Sequence, residues 1–432
     1  MHITLDYLVA GLVIIIILTF SANSIFSLTS TTLQHVEEEQ LNPLAERLLD
    51  KILLTPGEPL DWGNLTITYD NKGNRFIISE REITDFGLGY VEMQNNLGSV
   101  IDPYVLDPDK VARMANKDFQ PSSSRILQIL GLTWDGIHPK YGFRLRIVPA
   151  LNITITPTGT ILRNGYNVPS KFDISVKSYD GYPAVNARVK AIYLVVQMEQ
   201  ARDSNQNQME QARDSNQNQT EVLLNISKPI EVLTDWKGEC NNIDFTNFLS
   251  NLQDGNQGMK KVEAYILLAY ASYYGIRSFN QYYQYNYGNV LEASIMGSYL
   301  VIKFPENSED PEGARHPEKL LQIGEYVVAK TDIDPKRGEL VINKGHYKLK
   351  VLKIGGIDPW LNLNLLYIFW APLQEPVKPA KYCLVVVDYP SLVDYSTSTY
   401  PGEGLKIFTT HRYCRIGSLT YVAELSVWRM AE

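Results

Sequence analysis

Cysteine is scarce: three in 432 residues, too few for a fold built on disulfides. No Cys-x-x-Cys occurs, and the six histidines (His2, His35, His138, His316, His346, His411) are scattered, with no i, i+4 pair. That leaves no zinc-helix or zinc-ribbon pattern. There is no Gly-x-Ser-x-Gly, no Walker A loop and no dinucleotide glycine fingerprint. The Glu37–Glu39 run and the acids at 306–312 lack EF-hand spacing. His411 stands three residues from Cys414, and the expectation there is a strand residue beside a structural cysteine, not a catalytic pair. The sequence therefore points away from an enzyme and implies no cofactor. A net charge of −8, without clustered Lys and Arg, argues against a nucleic-acid partner. Basic residues are also missing from the N-terminus, where none precedes Arg47, so a secretory signal lacks its basic flank.

Apolar residues are not missing. Tyr7–Leu28 is a run of 22 residues without a charge, with Ile14, Ile15, Ile16 and Ile17 at its centre. A helix of that length crosses a bilayer core of roughly 30 Å. The expectation is a retained N-terminal membrane helix carrying a large ectodomain. Its apolar face is set by Tyr7, Leu8, Val9, Leu12, Val13, the four isoleucines, Leu18 and Phe20. Four Asn-x-Ser/Thr sequons, at Asn64, Asn152, Asn218 and Asn225, suit an exported chain. Downstream, Leu33, Val36, Leu41, Leu44, Leu48 and Ile52 keep near-helical spacing. Pro43 is expected to kink this helix or start a new one capped by Asn42, and Thr55-Pro56-Gly57 to end it. Two uses fit such a helix: packing on its own domain, or passing from membrane to filament core.

The rest reads as mainly β, with Tyr unusually common at 27 against 13 Phe. We divide it into a helix (1–57), a small α+β head (58–150), a β-sandwich (151–305) and, after a charged linker, an all-β sandwich or barrel (321–432). In the head, Asn64–Tyr69 and Arg75–Ser79 alternate like paired strands across a 70–73 turn. Asp107-Pro108 reads as a helix cap with proline at the first helical position, Ser122–Leu130 as a second helix and Tyr141–Ile147 as a strand.

LDYLVAG at the start, AERLLDKILLTPGEPLDWG at 45–63, DFGLG at 85–89 and YVLDPDKVARM at 104–114 resemble a group of uncharacterised archaeal membrane-anchored surface proteins with a type IV pilin-like N-terminus. The resemblance covers about the first 150 residues. It implies little about mechanism; the expectation of self-association through the N-terminal helix comes from the apolar-to-amphipathic helix joined to a compact α+β head. Two departures stand out: no basic-Gly processing site precedes the apolar run, and Asp6 stands near where pilins place a Glu.

In the middle unit, KFDISVK at 171–177, the Tyr179–Pro183 turn with AVNARVKAIYLVV after it, and Thr234–Cys240 (TDWKGEC) resemble Ig-like modules of the carboxypeptidase-regulatory or bacterial Ig-like type. That resemblance implies a two-sheet sandwich, with Lys261–Tyr273 and Val290–Phe304 among its strands. MEQARDSNQNQ occurs twice in tandem, at 198–208 and 209–219; it is polar throughout and reads as a duplicated strand-connecting loop. Tyr282, Tyr283, Tyr285 and Tyr287 form a candidate binding patch for surface glycans or proteins, or else a hairpin covering its sheet. Cys383 and Cys414 are the candidate disulfide, subject to distance. The function read from these features is a non-enzymatic structural protein, at the cell membrane with extracellular domains or in an extracellular filament. The alternative is a membrane-anchored adhesin that does not polymerise.

Overall fold

The structure is a computed structural model describing residues 15–24, 40–64, 67–69, 75–77, 83–94, 98–199, 221–252, 261–285, 290–297, 299–305, 321–323, 326–328, 340–343, 347–353, 366–371, 381–387, 392–397 and 406–430. It is mainly β, with helix at 15–24 and 40–54. Leu41, Ala45, Leu48, Leu49, Ile52 and Leu53 recur every three or four residues and are all buried. Asn42 is already helical, so it is not the expected cap, and Pro43 sits exposed inside the described helix. The helix stops at 54; Thr55 donates its hydroxyl to Lys51 O at 2.8 Å, and Gly57 takes a positive φ of 73°.

The buried face of that helix packs on a six-stranded sheet. The strand order is Val393–Ser396, Tyr141–Pro149, Leu419–Arg429, Ile407–Ile416, Gly98–Leu106, Gly89–Gln94. One core joins Leu49, Ile52, Phe86, Phe143 and Leu145 to Tyr395, Ile416, Tyr421 and Leu425. The head is therefore discontinuous in sequence. This corrects the expected division at 58–150 and 321–432, because the last 40 or so residues complete the first unit's sheet. Asp50 on the helix accepts from Arg412 Nε at 3.2 Å, joining the two ends of the chain. The expected head elements are present: Ile67–Tyr69 pairs with Arg75–Ile77, and Pro108–Ala115 and Ser123–Ile129 are helical.

The chain leaves the head sheet after Pro149 and enters a β-sandwich. One sheet holds Leu151–Arg163, Tyr166–Ser178 and Glu239–Asp244. The facing sheet holds Ile230–Leu233, Arg188–Glu199, Lys261–Tyr273 and Ile276–Tyr285, with Glu221–Ile226 also paired to Arg188–Glu199. Phe172, Tyr193, Phe245 and Leu267 fill the space between them. The two central strands are buried on both faces, which is why AIYLVV and AYILLA read as continuous apolar runs rather than alternating ones. The polar repeat connects Arg188–Glu199 to Glu221–Ile226, which pair directly (Glu199↔Glu221); residues 200–220 lie outside the described set.

Val290–Met296 and Tyr299–Pro305 do not complete this sandwich as expected. They form a hairpin within another six-stranded sheet, with Leu340–Asn343, Tyr347–Lys353, Leu366–Ala371 and Lys381–Val387. The 321–432 stretch is thus split between this third sheet, a small Leu321–Ile323/Tyr326–Val328 ladder and the head. Ala112 of the head helix packs on Met296, Val301, Leu349 and Val351 of the third sheet.

The motifs at 45–63, 85–89 and 104–114 converge where the long helix ends. Gly87 lies so close to Thr55 that an added Cβ would fall 2.1 Å from its carbonyl oxygen. Trp62 Nε1 donates to Gly87 O at 3.0 Å, and Arg113 donates to Trp62 O and, at 3.1 Å, to Phe119 O. Lys110 is only 1% exposed. Its ammonium donates to Pro56 O at 2.8 Å and Gly89 O at 3.3 Å and pairs with Asp107 at 3.3 Å. Burial lowers the Lys110 pKa and raises that of Asp107, while their mutual charge opposes both.

Asp109 accepts from Gly297 N at 2.9 Å, tying the third sheet's turn to the head. Burial, then the Asp107 charge, push its pKa up to about 6. A carboxyl raised in the folded state gains stability as pH falls. The gain starts as pH drops through about 6 and is complete below the ordinary 3.8. Asp109→Asn should flatten this dependence and stabilise the protein above pH 6 by up to roughly 3 kcal/mol. Denaturant melts of both proteins from pH 4 to 8 check it, the difference reporting Asp109 together with its coupling to Asp107 and Lys110.

Candidate functional site

Two features stand out from the folded core. The first is the helix at 15–24, where Ile15, Ile16, Ile17, Leu18 and Phe20 are exposed, Ile15 by 66% and Phe20 by 76%. Thr19 turns its hydroxyl back onto the Ile15 and Ile16 carbonyls, and the polar residues Ser21, Asn23 and Ser24 are confined to the second half of the segment. Tyr7, Leu8, Val9, Leu12, Val13 and Ile14 of the expected membrane face lie outside the described residues. Among the described residues no helix is long and apolar enough to cross a membrane.

The second is a cleft of about 910 Å³ where the head, sandwich and third sheet meet. Its walls carry Lys117, Arg146, Asn152, Asn280, Glu292 and Lys303. The head is fastened to each of the other two units beside it. On the sandwich side, Arg277 N donates to Thr420 Oγ1 at 3.2 Å. Tyr179 donates to Glu424, which also pairs with Arg146 at 3.3 Å. Burial, then that acceptor and its charge, push the Tyr179 phenol up to about 12. On the third-sheet side, Asn116 Nδ2 donates to Ser294 Oγ at 2.9 Å and Tyr347 Oη to Asp118 at 2.6 Å. Lys303 Nζ stands 4.5 Å over the Tyr347 ring. No sequence motif marks this cleft, because its residues come from stretches up to about 300 positions apart, from Ala115 to Tyr421.

The other candidate residues separate. Tyr282 joins the sandwich core, its ring 5.6 Å from Phe172, and burial raises its phenol's pKa. Tyr283 points the other way and is 41% exposed; Tyr285 is half-buried, and Tyr287 lies outside the described residues. The four tyrosines are thus not one surface, since alternation divides neighbours between faces. Of the sequons, Asn152 is exposed, Asn64 and Asn225 are half-buried, and Asn218 lies outside the described residues.

The expected disulfide is corrected. Cys414 is a free buried thiol in the head core, donating to Tyr421 O at 3.7 Å, and burial pushes it up to about 12. Cys383 belongs to a strand of a different sheet. Cys240 is likewise a free buried thiol. His411 is exposed while Cys414 is buried, on opposite faces of one strand. Among the described residues no group of three His, Cys, Asp or Glu could hold a metal ion.

Sequence reasoning missed a buried ionic cluster in the sandwich. Arg163 meets Glu263 through Nε at 3.1 Å and a terminal nitrogen at 3.1 Å, with both side chains nearly inaccessible. Gln197 Nε2 donates to Glu263 at 2.7 Å, Tyr265 donates to it as well, and Asn225 Nδ2 donates to Gln197 at 2.9 Å. A Glu inside the apolar run that starts at Lys261 was the available signal.

No family model and no curated protein matches the chain. Among solved structures, the trypsin-activated alpha-2-macroglobulin from Escherichia coli is similar at 8% identity and a TM-score of 0.21, over 61% of this chain and 18% of that one. The chain spans less than a fifth of that protein's length, and a score so low carries no argument about fold or activity.

Proposed function

We propose that this is a non-enzymatic structural protein of the cell surface, held in the membrane by its N-terminal helix and able to assemble through it into a pilin-like filament. One observation carries the reading. Helical residues 40–54 bury their apolar face in the head, whereas helical residues 15–24 present isoleucine, leucine and phenylalanine to the surroundings. Exposed apolar side chains of this kind need a cover, and lipid or neighbouring helices of the same kind supply it. The transmembrane length, the pilin-like character and the Ig-like character of the sandwich belong to this proposal.

Deleting residues 1–24 should move the protein from the membrane pellet to the soluble fraction while leaving the thermal melt of the head unchanged. A full-length chain that is soluble and monomeric without detergent would end the anchor reading. Negative-stain microscopy of detached surface material should show regular filaments; monomers confined to detergent extracts would leave the anchor and remove the filament. A binding ectodomain is the second reading. Trp236, 73% exposed, and Tyr182 favour it: they stand on two turns knit together by the Thr234 hydrogen bonds to Ala184 and Ala187.

A further inference from the structure

We infer that Asn152 is an N-glycosylation site whose glycan occupies the cleft between the head, the sandwich and the third sheet. The inference rests on the cell-surface reading, because the modifying machinery acts on exported chains.

The structure separates the sequons by geometry. In Asn152-Ile153-Thr154 the strand alternation buries Ile153 in the sandwich core and leaves Asn152 and Thr154 exposed on one face. Both side chains that the sequon requires are thus presented together. Asn225 differs: its amide donates to Gln197, beside the buried Arg163–Glu263 pair, and the hydroxyl of Ser227 is buried and accepts from Tyr193 N at 2.9 Å. Asn64 is half-buried and lies so close to Gly297 that a Cβ added there would sit 2.5 Å from Asn64 Oδ1. A sugar has room at neither.

Asn152 is part of the cleft wall. The first sugars attached to it lie among Lys117, Arg146, Asn280, Glu292 and Lys303, which supply amide, ammonium and carboxylate partners for hydroxyl groups. The volume of about 910 Å³ is at the large end of the range for small-molecule sites, and the position is an interface between units, where such sites gather. The glycan then bridges three units that direct contacts hold only at the edges of the cleft.

The chemistry balances with a lipid-phosphate-linked sugar as co-reactant. A bond forms between Asn152 Nδ2 and the anomeric carbon. The anomeric C–O bond to the donor's phosphate breaks, the phosphate leaves with that electron pair, and the amide gives up one proton.

The test is peptide mapping by mass spectrometry of protein purified from its native host, with acylation of lysines as a probe of the cleft. A sugar mass is expected on the Asn152 peptide. It should vanish in Asn152→Gln and Thr154→Val and persist in Thr154→Ser. Losing it should speed acylation of Lys117 and Lys303 several-fold. An unmodified Asn152 overturns the inference. If protease added to intact cells still digests the chain, the cell-surface reading survives that loss; if the chain is protected, both fall. A glycan on Asn152 whose loss leaves both lysines equally reactive overturns the cleft assignment.

Discussion

Ending the chain at Val387 should leave the head unable to fold, although every residue removed lies more than 230 positions beyond the head's first half. Strand Leu419–Arg429 runs between Tyr141–Pro149 and Ile407–Ile416, with Leu425 opposite Leu145 and Val427 opposite Phe143. Its loss strips the ladder from Tyr141–Pro149 and uncovers Leu49, Phe86 and Phe143. The lost segment also takes Val393, Tyr395, Ile416, Leu419, Tyr421, Leu425 and Val427 out of the head core. At about 1.5–3 kcal/mol for each large side chain buried, the seven come to roughly 10–20 kcal/mol, as large as the roughly 5–15 kcal/mol by which a whole domain is stable. Three further ties go with it: Arg412 to Asp50, Arg144 to Asp394 and Tyr395 Oη to Pro121 O.

The same geometry provides the control. Val393 pairs with Ile147, so the chain returns to the head beside the point where it left. Residues 40–149 joined to 392–430 by a short Gly-Ser linker should therefore fold cooperatively, whereas residues 40–150 alone should not. Near-UV circular dichroism and denaturant melts decide it. A cooperative transition from 40–150 alone would mean that the C-terminal hairpin decorates the head rather than completing it.

This discontinuity marks where sequence reading stops. Local chemistry was legible. Asp107 accepts from the backbone N–H groups of Asp109 and Lys110, with Pro108 at the first helical position. Asp235 closes the TDWKGEC turn through the N–H groups of Lys237 and Glu239. Each device acts within four residues, so the sequence displays it. Strand partners are another matter. Period two says which residues share a face, not which strand lies alongside, and a strand buried on both faces, such as Leu419–Arg429, loses even the alternation. The tyrosines of NQYYQYNYGN show the same limit. Alternation separates Tyr282 from Tyr283, but only the packing of Phe172 tells which one faces the core. The cleft was illegible for a simpler reason: Lys117, Arg146 and Lys303 share no local pattern and meet only through the sheet order.

Glu263→Ala should cost about 3–5 kcal/mol, because it leaves the Arg163 guanidinium charged and buried without its carboxylate. Arg163 also donates to Leu249 O at 3.2 Å and Leu252 O at 3.3 Å, and neither carbonyl carries a charge that neutralises it. Gln197 and Tyr265 lose their shared acceptor in the same step. Replacing both partners, Arg163→Met with Glu263→Leu, should cost much less, since no charge is then stranded. Acid should mimic the single variant. Burial opposes ionisation of Glu263, but hydrogen bonds from Arg163, Tyr265 and Gln197, with the Arg163 charge, hold its pKa below the ordinary 4.5. Its stabilisation is therefore complete above about 4.5 and is lost as pH falls through the lower folded value. Asp109 works in the opposite sense, so the two sites pull the acid limb in different directions. Melts of the wild type, Glu263→Ala and the double variant from pH 7 down to about pH 3 distinguish the cases. A single variant no less stable than the double one would show that the pair is solvated rather than buried, and would free the Asn225 side of the sandwich from the constraint that sets Asn152 apart.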